Sequence, residues 1–533
     1  NLDDLDHDWS GNNIRASFNN TNDDGYIYPF IEYGKTYDSD VNSTNFTVSN
    51  FYPAVYVKRV FEQIFKDVDY SIKGDLLNVW EYNNSIIPFS EKDFSHSEQF
   101  IRSKTQSFNV EPQALSKTSN IIKSNPATLT DLQITLQPIK YTLNVSLELT
   151  SVAGGGFPIS VFLGNDYSGS KLNAVTVIQS IPTGFSGGVG FSVEIDASQY
   201  TNNFFIGIDG AAASFTFTIS SGSISFTPLE EISPDEPIQI ASTLPSIKQS
   251  DFVKYIANTF GLIISADKTI NEISFDVFDR VKNNIPLAKD WSNKIDTQNQ
   301  REVNFTEFLQ SYAKTSIFNY LDNKDDPELE IYNSVNSDSF GSGVLNIENE
   351  HISNRKEIYK APFSPSINIL TVSNQLYLPQ IKWFDENLEK EFDPIPRILL
   401  IVPDLSVEEL TGSQGTQINV AGTNVSNIPF AWFAKAAYTP STNLYNQSLS
   451  FGDITFTPDL EGKIAEYWGN YLEILNNMKY LKASFALNAV DINELDFKIP
   501  IYLDDYKSYF FINSVNEYTG GEELTDVELV KIS

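Results

Sequence analysis

The apolar residues of this chain come in short runs, and that limits its fold before anything else is known. The longest, such as Ile398-Leu399-Leu400-Ile401-Val402, have the length of a strand. A membrane helix needs about 20 apolar residues in succession, so no membrane-spanning segment is expected. Between the runs stand Ser, Thr, Asn and a heavy aromatic load, 38 Phe and 26 Tyr among 533 residues. Strands and turns accept that mixture better than helices do. A mainly β fold with a few helices is expected. A chain this long exceeds one compact core, which predicts several domains. Hydrophobic residues make up 41% of it, which separates it from the apolar-poor composition of disordered chains.

The charge balance narrows the partners. Thirty-six basic against 69 acidic side chains give a net charge of −33. Such a surface gains nothing from counterion release and repels a phosphate backbone. The plain reading is a solvated surface; a sharper one is an acidic wall past which DNA slides without adsorbing. The absence of cysteine excludes disulfides and thiolate metal sites. The chain opens at Asn1 in a polar stretch, and the natural start is expected upstream.

Residues 1–127 read as a β-rich module with one clear helix at 53–68. Pro53 stands where a first-turn proline would, and Val57, Val60, Phe61, Ile64, Phe65 and Val68 recur at helical spacing. Residues 91–126 read as a polar connector holding a strand or two. From 128 to 228 charge nearly vanishes, and alternation such as Tyr141-Thr142-Leu143-Asn144-Val145 is cut by glycine turns at 154–156 and 184–190. A β-sandwich is expected there, closed by a proline-rich acidic linker at 228–237. A second module, 238–364, carries helices near 250–260 and 305–320. In the first of these Ser250 is the expected cap, Phe252, Val253, Ile256 and Phe260 form the apolar face, and Gly261 supplies the stop. Phe305, Phe308, Leu309 and Tyr312 suggest the second. The last domain, 365–533, returns to short strands, with a polar loop at 410–428 and a helix at 461–479.

No motif carries chemistry. Acid pairs such as Asp3-Asp4, Asp325-Asp326 and Asp504-Asp505 fall in turns, where solvated residues are the rule. A glycosidase would need two carboxyls at a fixed gap, one of them desolvated. Asp38-x-Asp40-x-Asn42 starts like a calcium loop but lacks its Gly and terminal Glu. His7, His96 and His351 are too scattered for a metal or a triad. The glycine run at 184–190 lacks the Lys-Ser or Lys-Thr of a phosphate loop and reads as an ordinary loop. Trp80, Trp291, Trp383, Trp432 and Trp468 read as packing residues. No catalytic residue, metal or cofactor is expected. Asn165, Asp166 and Tyr167, on a turn of the sandwich, are the candidate glycan contacts.

Three stretches carry a resemblance: DFVKYIANTFGLIISADKTINEISFDVFD with LAKDWSNKID and FGSGVLNIENEHISNRKEIYKAPFSPS; the earlier YPAVYVKRVFEQIF; and the ending IYLDDYKSYFFINSVNEYTGGEELTDVELVKIS. In these the chain resembles tail hub and baseplate proteins of phages that infect Bacteroidetes. The resemblance spans about three quarters of the chain and omits 128–228. It implies hub-like β-barrel domains with appended helices, a homotrimer around the tail axis, and neighbours among tail tube and tip or fibre proteins. DNA would be passing cargo and the virion tail the location. The 128–228 sandwich then resembles an inserted carbohydrate-binding jelly roll. That leaves an alternative, a receptor-binding tail protein that recognises host surface glycans. A polysaccharide depolymerase is the third reading, disfavoured by the missing motifs.

Overall fold

The structure, a computed structural model, describes residues 2–33, 45–91, 94–110, 112–118, 136–153, 157–159, 179–181, 184–199, 214–267, 270–296, 312–336, 338–370, 377–381, 395–411, 415–434, 447–453, 462–516, 518–521 and 523–532. The chain divides into two compact units. One comprises Asn1–Leu5, Gly11–Lys92 and Thr243–Ser533; the other comprises Asp6–Ser10 and Asp93–Ser242. The fold is mainly β with interspersed helices, as the composition predicts. Every sheet among the described residues is open, so the closed barrels implied by the resemblance are not present there.

In the second unit Lys140–Ala153 and Ser214–Pro228 pair antiparallel along most of their length. Gly187–Asp196 joins one flank, and Gln106–Val110 and Gln113–Thr118 join the other. Strand alternation sends Tyr141, Leu143, Val145, Leu147 and Leu149 to one face, where they pack with Ile195, Ile224 and Phe226. Three expectations change. Of the connector read at 91–126, Gln106–Val110 and Gln113–Thr118 are strands of this sheet and 119–126 lies outside the described residues; the helix Glu98–Lys104 precedes the strands, capped by the Ser97 hydroxyl accepting from the Phe100 N–H at 3.2 Å. The linker at 228–237 is held in the unit. Its Ile232 is buried, and Pro237–Ile238 pairs with His7–Asp8. The glycines at 187–190 are likewise in a strand, not a loop. Gly188 and Gly190 leave room along Lys140–Ala153 for the Glu148 side chain and the Val145 carbonyl.

In the first unit the strands Tyr26–Ile27, Ala54–Tyr56, Ser85–Pro88, Leu399–Ser406 and Asn427–Trp432 form one antiparallel sheet. Its centre is buried on both faces, which is why Leu399, Leu400 and Ile401 are consecutively apolar. The first helix is Val57–Lys66, not 53–68, because Ala54–Tyr56 is a buried sheet strand and the Pro53 carbonyl accepts from Phe89. Phe61 and Phe65 lie 5.0 and 5.2 Å from the Phe275 ring, fixing that helix over a sheet of Leu262–Asp267, Glu272–Val277 and Ser71–Lys73.

The second helix, Gln249–Thr259, begins after Lys248, so Ser250 lies in its first turn rather than at the cap. Gly261 ends it with φ +54°, and a side chain there would strike the Tyr467 carbonyl. The helix expected at 305–320 is not seen at its end. Thr315–Asn319 is the middle strand of a sheet with Gly343–Asn346 and Lys356–Lys360, while 301–311 lies outside the described residues. Pairing with two distant segments overrides the local spacing. The polar loop at 410–428 contains the hairpin Ile418–Val420 and Thr423–Val425, turned by Ala421 and Gly422 at φ +46° and +81°. The helix expected at 461–479 is Lys463–Asn476, and it packs near the sheet of Lys289–Asp290, Ile501–Leu503, Ser508–Asn516, Thr525–Lys531 and Tyr480–Phe485.

Candidate functional site

Charged groups removed from water are the places where a fold of this kind would hold chemistry, because burial is what perturbs an acid or a base. Three such places lie among the described residues of the first unit; one is Asp276, 4% exposed, which accepts from the Ser274 hydroxyl at 2.6 Å and faces the Lys498 ammonium at 3.4 Å. Lys463 opens the helix Lys463–Asn476 and is only 1% exposed; its ammonium binds Glu81, itself 3% exposed, on the short helix Trp80–Asn84. A second contact reaches Glu466 Oε2 at 2.6 Å. The Tyr467 hydroxyl donates to Glu81 Oε2 at a long 3.5 Å. Burial first, then the Glu81 charge, pushes the Tyr467 hydroxyl far above the ordinary tyrosine range. The pair joins residues 382 apart in sequence.

The third place surrounds Arg397. Its Nη2 donates to Asp326 Oδ2 at 3.0 Å, and Nη1 donates to the Pro365 carbonyl and to Ser366 Oγ. Desolvation lowers the guanidinium and the Asp326 carboxylate opposes that shift. The other oxygen of Asp326 accepts from the Glu328 and Leu329 N–H groups, capping the helix Pro327–Asn336. Asp325-Asp326 is therefore not a solvated pair, and Asp326 is a buried structural anion. In the second unit Glu236 accepts from the Lys140 and Ser233 N–H groups, both at 2.8 Å. The His96 ring stacks on Phe100 with centroids 4.3 Å apart, its Nε2 3.5 Å from Glu236.

The printed partners of these groups are side chains and backbone of the chain itself. They hold backbone segments together, and each carboxylate faces donors that belong to the chain. A cleft lined by Phe30, Tyr33, Phe46, Phe51 and Tyr52 has about 10 Å³ of room, enough for one water at most. No group of three His, Asp or Glu among the described residues is placed to hold a metal. No helix among them is long and apolar enough to cross a membrane.

Asn165, Asp166 and Tyr167 lie outside the described residues, as do the Asp38-to-Asn42 segment and Trp383. His7 sits in a two-residue strand, His96 is buried, and His351 is exposed on a turn. Trp291 and Trp432 are buried, and Trp468 Nε1 donates to the Asn258 carbonyl at 2.9 Å, so these three are packing residues as expected. Asp4 binds Arg59 through both oxygens, at 2.7 and 2.8 Å. Glu81, Lys463 and Arg397 were not among the candidates. Lys463 and Tyr467 do stand one turn apart on an aromatic helix face, but a lysine there ordinarily extends to solvent.

A scan against protein-family models matches none. No curated protein is significantly similar in sequence. Among solved structures, partial matches come from infectious bursal disease virus. The Gx strain structure is 13% identical, over 28% of this chain and 40% of that one, with a TM-score of 0.16. The VP2 subviral particle is 10% identical, over 25% and 39%, with a TM-score of 0.14. The T13 viral particle is 13% identical, over 30% and 46%, with a TM-score of 0.13. Each match spans less than half of the virus chain, and TM-scores of this size establish no common fold.

Proposed function

We propose that this chain is a non-enzymatic structural protein of a phage tail, a trimeric hub or baseplate component joining the tail tube to tip or receptor-binding proteins. The resemblance of its sequence supports the tail assignment. The observation that carries the structural role is the placement of its buried ions. Lys463 with Glu81, and Arg397 with Asp326, tie together segments 382 and 71 residues apart. Buried pairs of this kind are better attested as devices that fix one arrangement than as sources of net stability. A virion part needs a fixed arrangement and contact surface. The net charge of −33 adds that DNA passing such a part would not adsorb.

The test is the mass of the assembled particle by light scattering, with class averages from electron microscopy. Three copies around an axial passage are the expected result. A chain that stays monomeric at micromolar concentration overturns the proposal.

A further inference from the structure

The three-stranded sheet of Gly343–Asn346, Thr315–Asn319 and Lys356–Lys360 has one packed face and one open face. Gly343–Asn346 pairs with Thr315–Asn319 so that Val344 stands opposite Ile317, and Lys356–Lys360 pairs so that Ile358 also stands opposite Ile317. The three side chains form a row across the sheet. Phe318 and Leu345, one residue along, are buried on the other face. The row therefore points outward, with Val344 51% and Ile358 65% exposed. Lys356 and Lys360 project from the same face, on either side of Ile358, and both are exposed. Neither makes an ion pair among the described residues. Thr315, Asn319 and Asn346 complete the rim on that face. Glu357 alternates to the opposite face, and Glu348 and Glu350 lie past the end of Gly343–Asn346.

We infer that this open sheet face is a contact surface between copies of this chain, docking on an acidic region of the neighbouring copy. The inference rests on the assembly reading above. Two copies at −33 repel each other over most of their surface, so a stable contact needs local complementarity. An apolar row between two unpaired lysines supplies it against acids, and a second copy brings 69 of them. Lysine facing lysine would repel, so the face does not dock on itself. The contact is head-to-tail, the type that closes a ring when the rotation permits. Lysines on an exposed edge strand ordinarily keep other strands off that edge. They still do so here, which directs the neighbour onto the face rather than the edge.

The chain contains no cysteine, so Ile358→Cys provides a unique attachment point for a short photoactivatable crosslinker. Irradiation should give covalent dimers and higher forms of this chain, with the crosslink mapping to an acid-rich segment of the second copy. Ile358→Asp combined with Lys356→Glu should bring the mass from light scattering down to that of one chain. Hydrogen-exchange protection of Lys463–Asn476 in that variant should match the parent, showing that the unit remains folded. An assembled parent whose mass is unaltered by the double substitution overturns this surface and leaves the assembly reading standing. A monomeric parent overturns both.

Discussion

Replacing Lys463 with Met should destabilise the helix Lys463–Asn476 more than neutralising its partner does, and the order of effects tests the buried cluster. In the Lys463→Met variant Glu81 stays in a site 3% exposed and loses its counter-ion. What remains is the Tyr467 hydroxyl at 3.5 Å, too long for a strong hydrogen bond. Breaking a buried pair by removing one member costs about 3–5 kcal/mol. Glu81→Gln is milder, because Lys463 keeps Glu466 at 2.6 Å on a carboxylate 40% exposed. Its cost is about 1.5–3 kcal/mol, the worth of a charged hydrogen bond. Converting both Lys463 and Glu81 to Met removes both charges, and such replacements are often close to neutral. A chain of two units has no single unfolding free energy. The readout is therefore local, the opening free energy of peptides spanning Lys463–Asn476 from hydrogen exchange with mass spectrometry. A loss under about 1 kcal/mol in Lys463→Met would refute the buried-pair reasoning, since the cost of an unpaired buried charge would be absent. So would a double variant as unstable as the single one.

Two further predictions follow from local geometry. A Cβ on Gly343 would lie 2.6 Å from the Gly452 nitrogen and the Phe451 carbonyl carbon, whereas one on Gly469 would meet nothing within 4 Å. Gly343→Ala should therefore cost about 1–3 kcal/mol, and Gly469→Ala, inside a helix, should stabilise by up to about 1 kcal/mol; thermal denaturation that moves both the same way contradicts this. Asp290 accepts from the Ser292 hydroxyl and N–H, the hydroxyl first in importance, and these hold its carboxyl below the ordinary aspartate range. Its contribution to stability is then full above the ordinary aspartate value and is lost as pH falls through the depressed one. Ser292→Ala should bring the Asp290 titration, followed by NMR, back up toward that ordinary value; an unmoved titration would contradict the assignment.

How far the sequence could be read depends on whether the deciding interaction is local. The helices at Val57–Lys66, Gln249–Thr259 and Lys463–Asn476 are visible as apolar spacing because their cores lie on one face. Their ends are less visible. Pro53 imitates a first-turn proline, yet Ala54-Val55-Tyr56 goes to a strand because Tyr26–Ile27 and Ser85–Pro88 flank it. The same holds at 315–319, where the register with 343–346 and 356–360 comes from segments about 30 and 40 residues away. One signal was legible and passed over. Asp326-Pro327-Glu328 is a cap, a first-turn proline and an acidic first turn in succession, and it begins a helix.

The buried ions were not legible at all, for a physical reason. Lysine, arginine and the acids are exposed by default, and only a partner brought by the fold makes their burial tolerable. Lys463 finds Glu81 382 residues away, so nothing near either residue marks it. The outward row follows the same logic with the sign reversed. Val344, Ile317 and Ile358 look like ordinary core residues in three separate strands. Only the register sets them side by side, and only the burial of Phe318 and Leu345 turns them outward. For an assembly protein the consequence is general. The residues that hold the subunit together and those that join it to its neighbour have the same composition, and pairing across the sheet decides which is which.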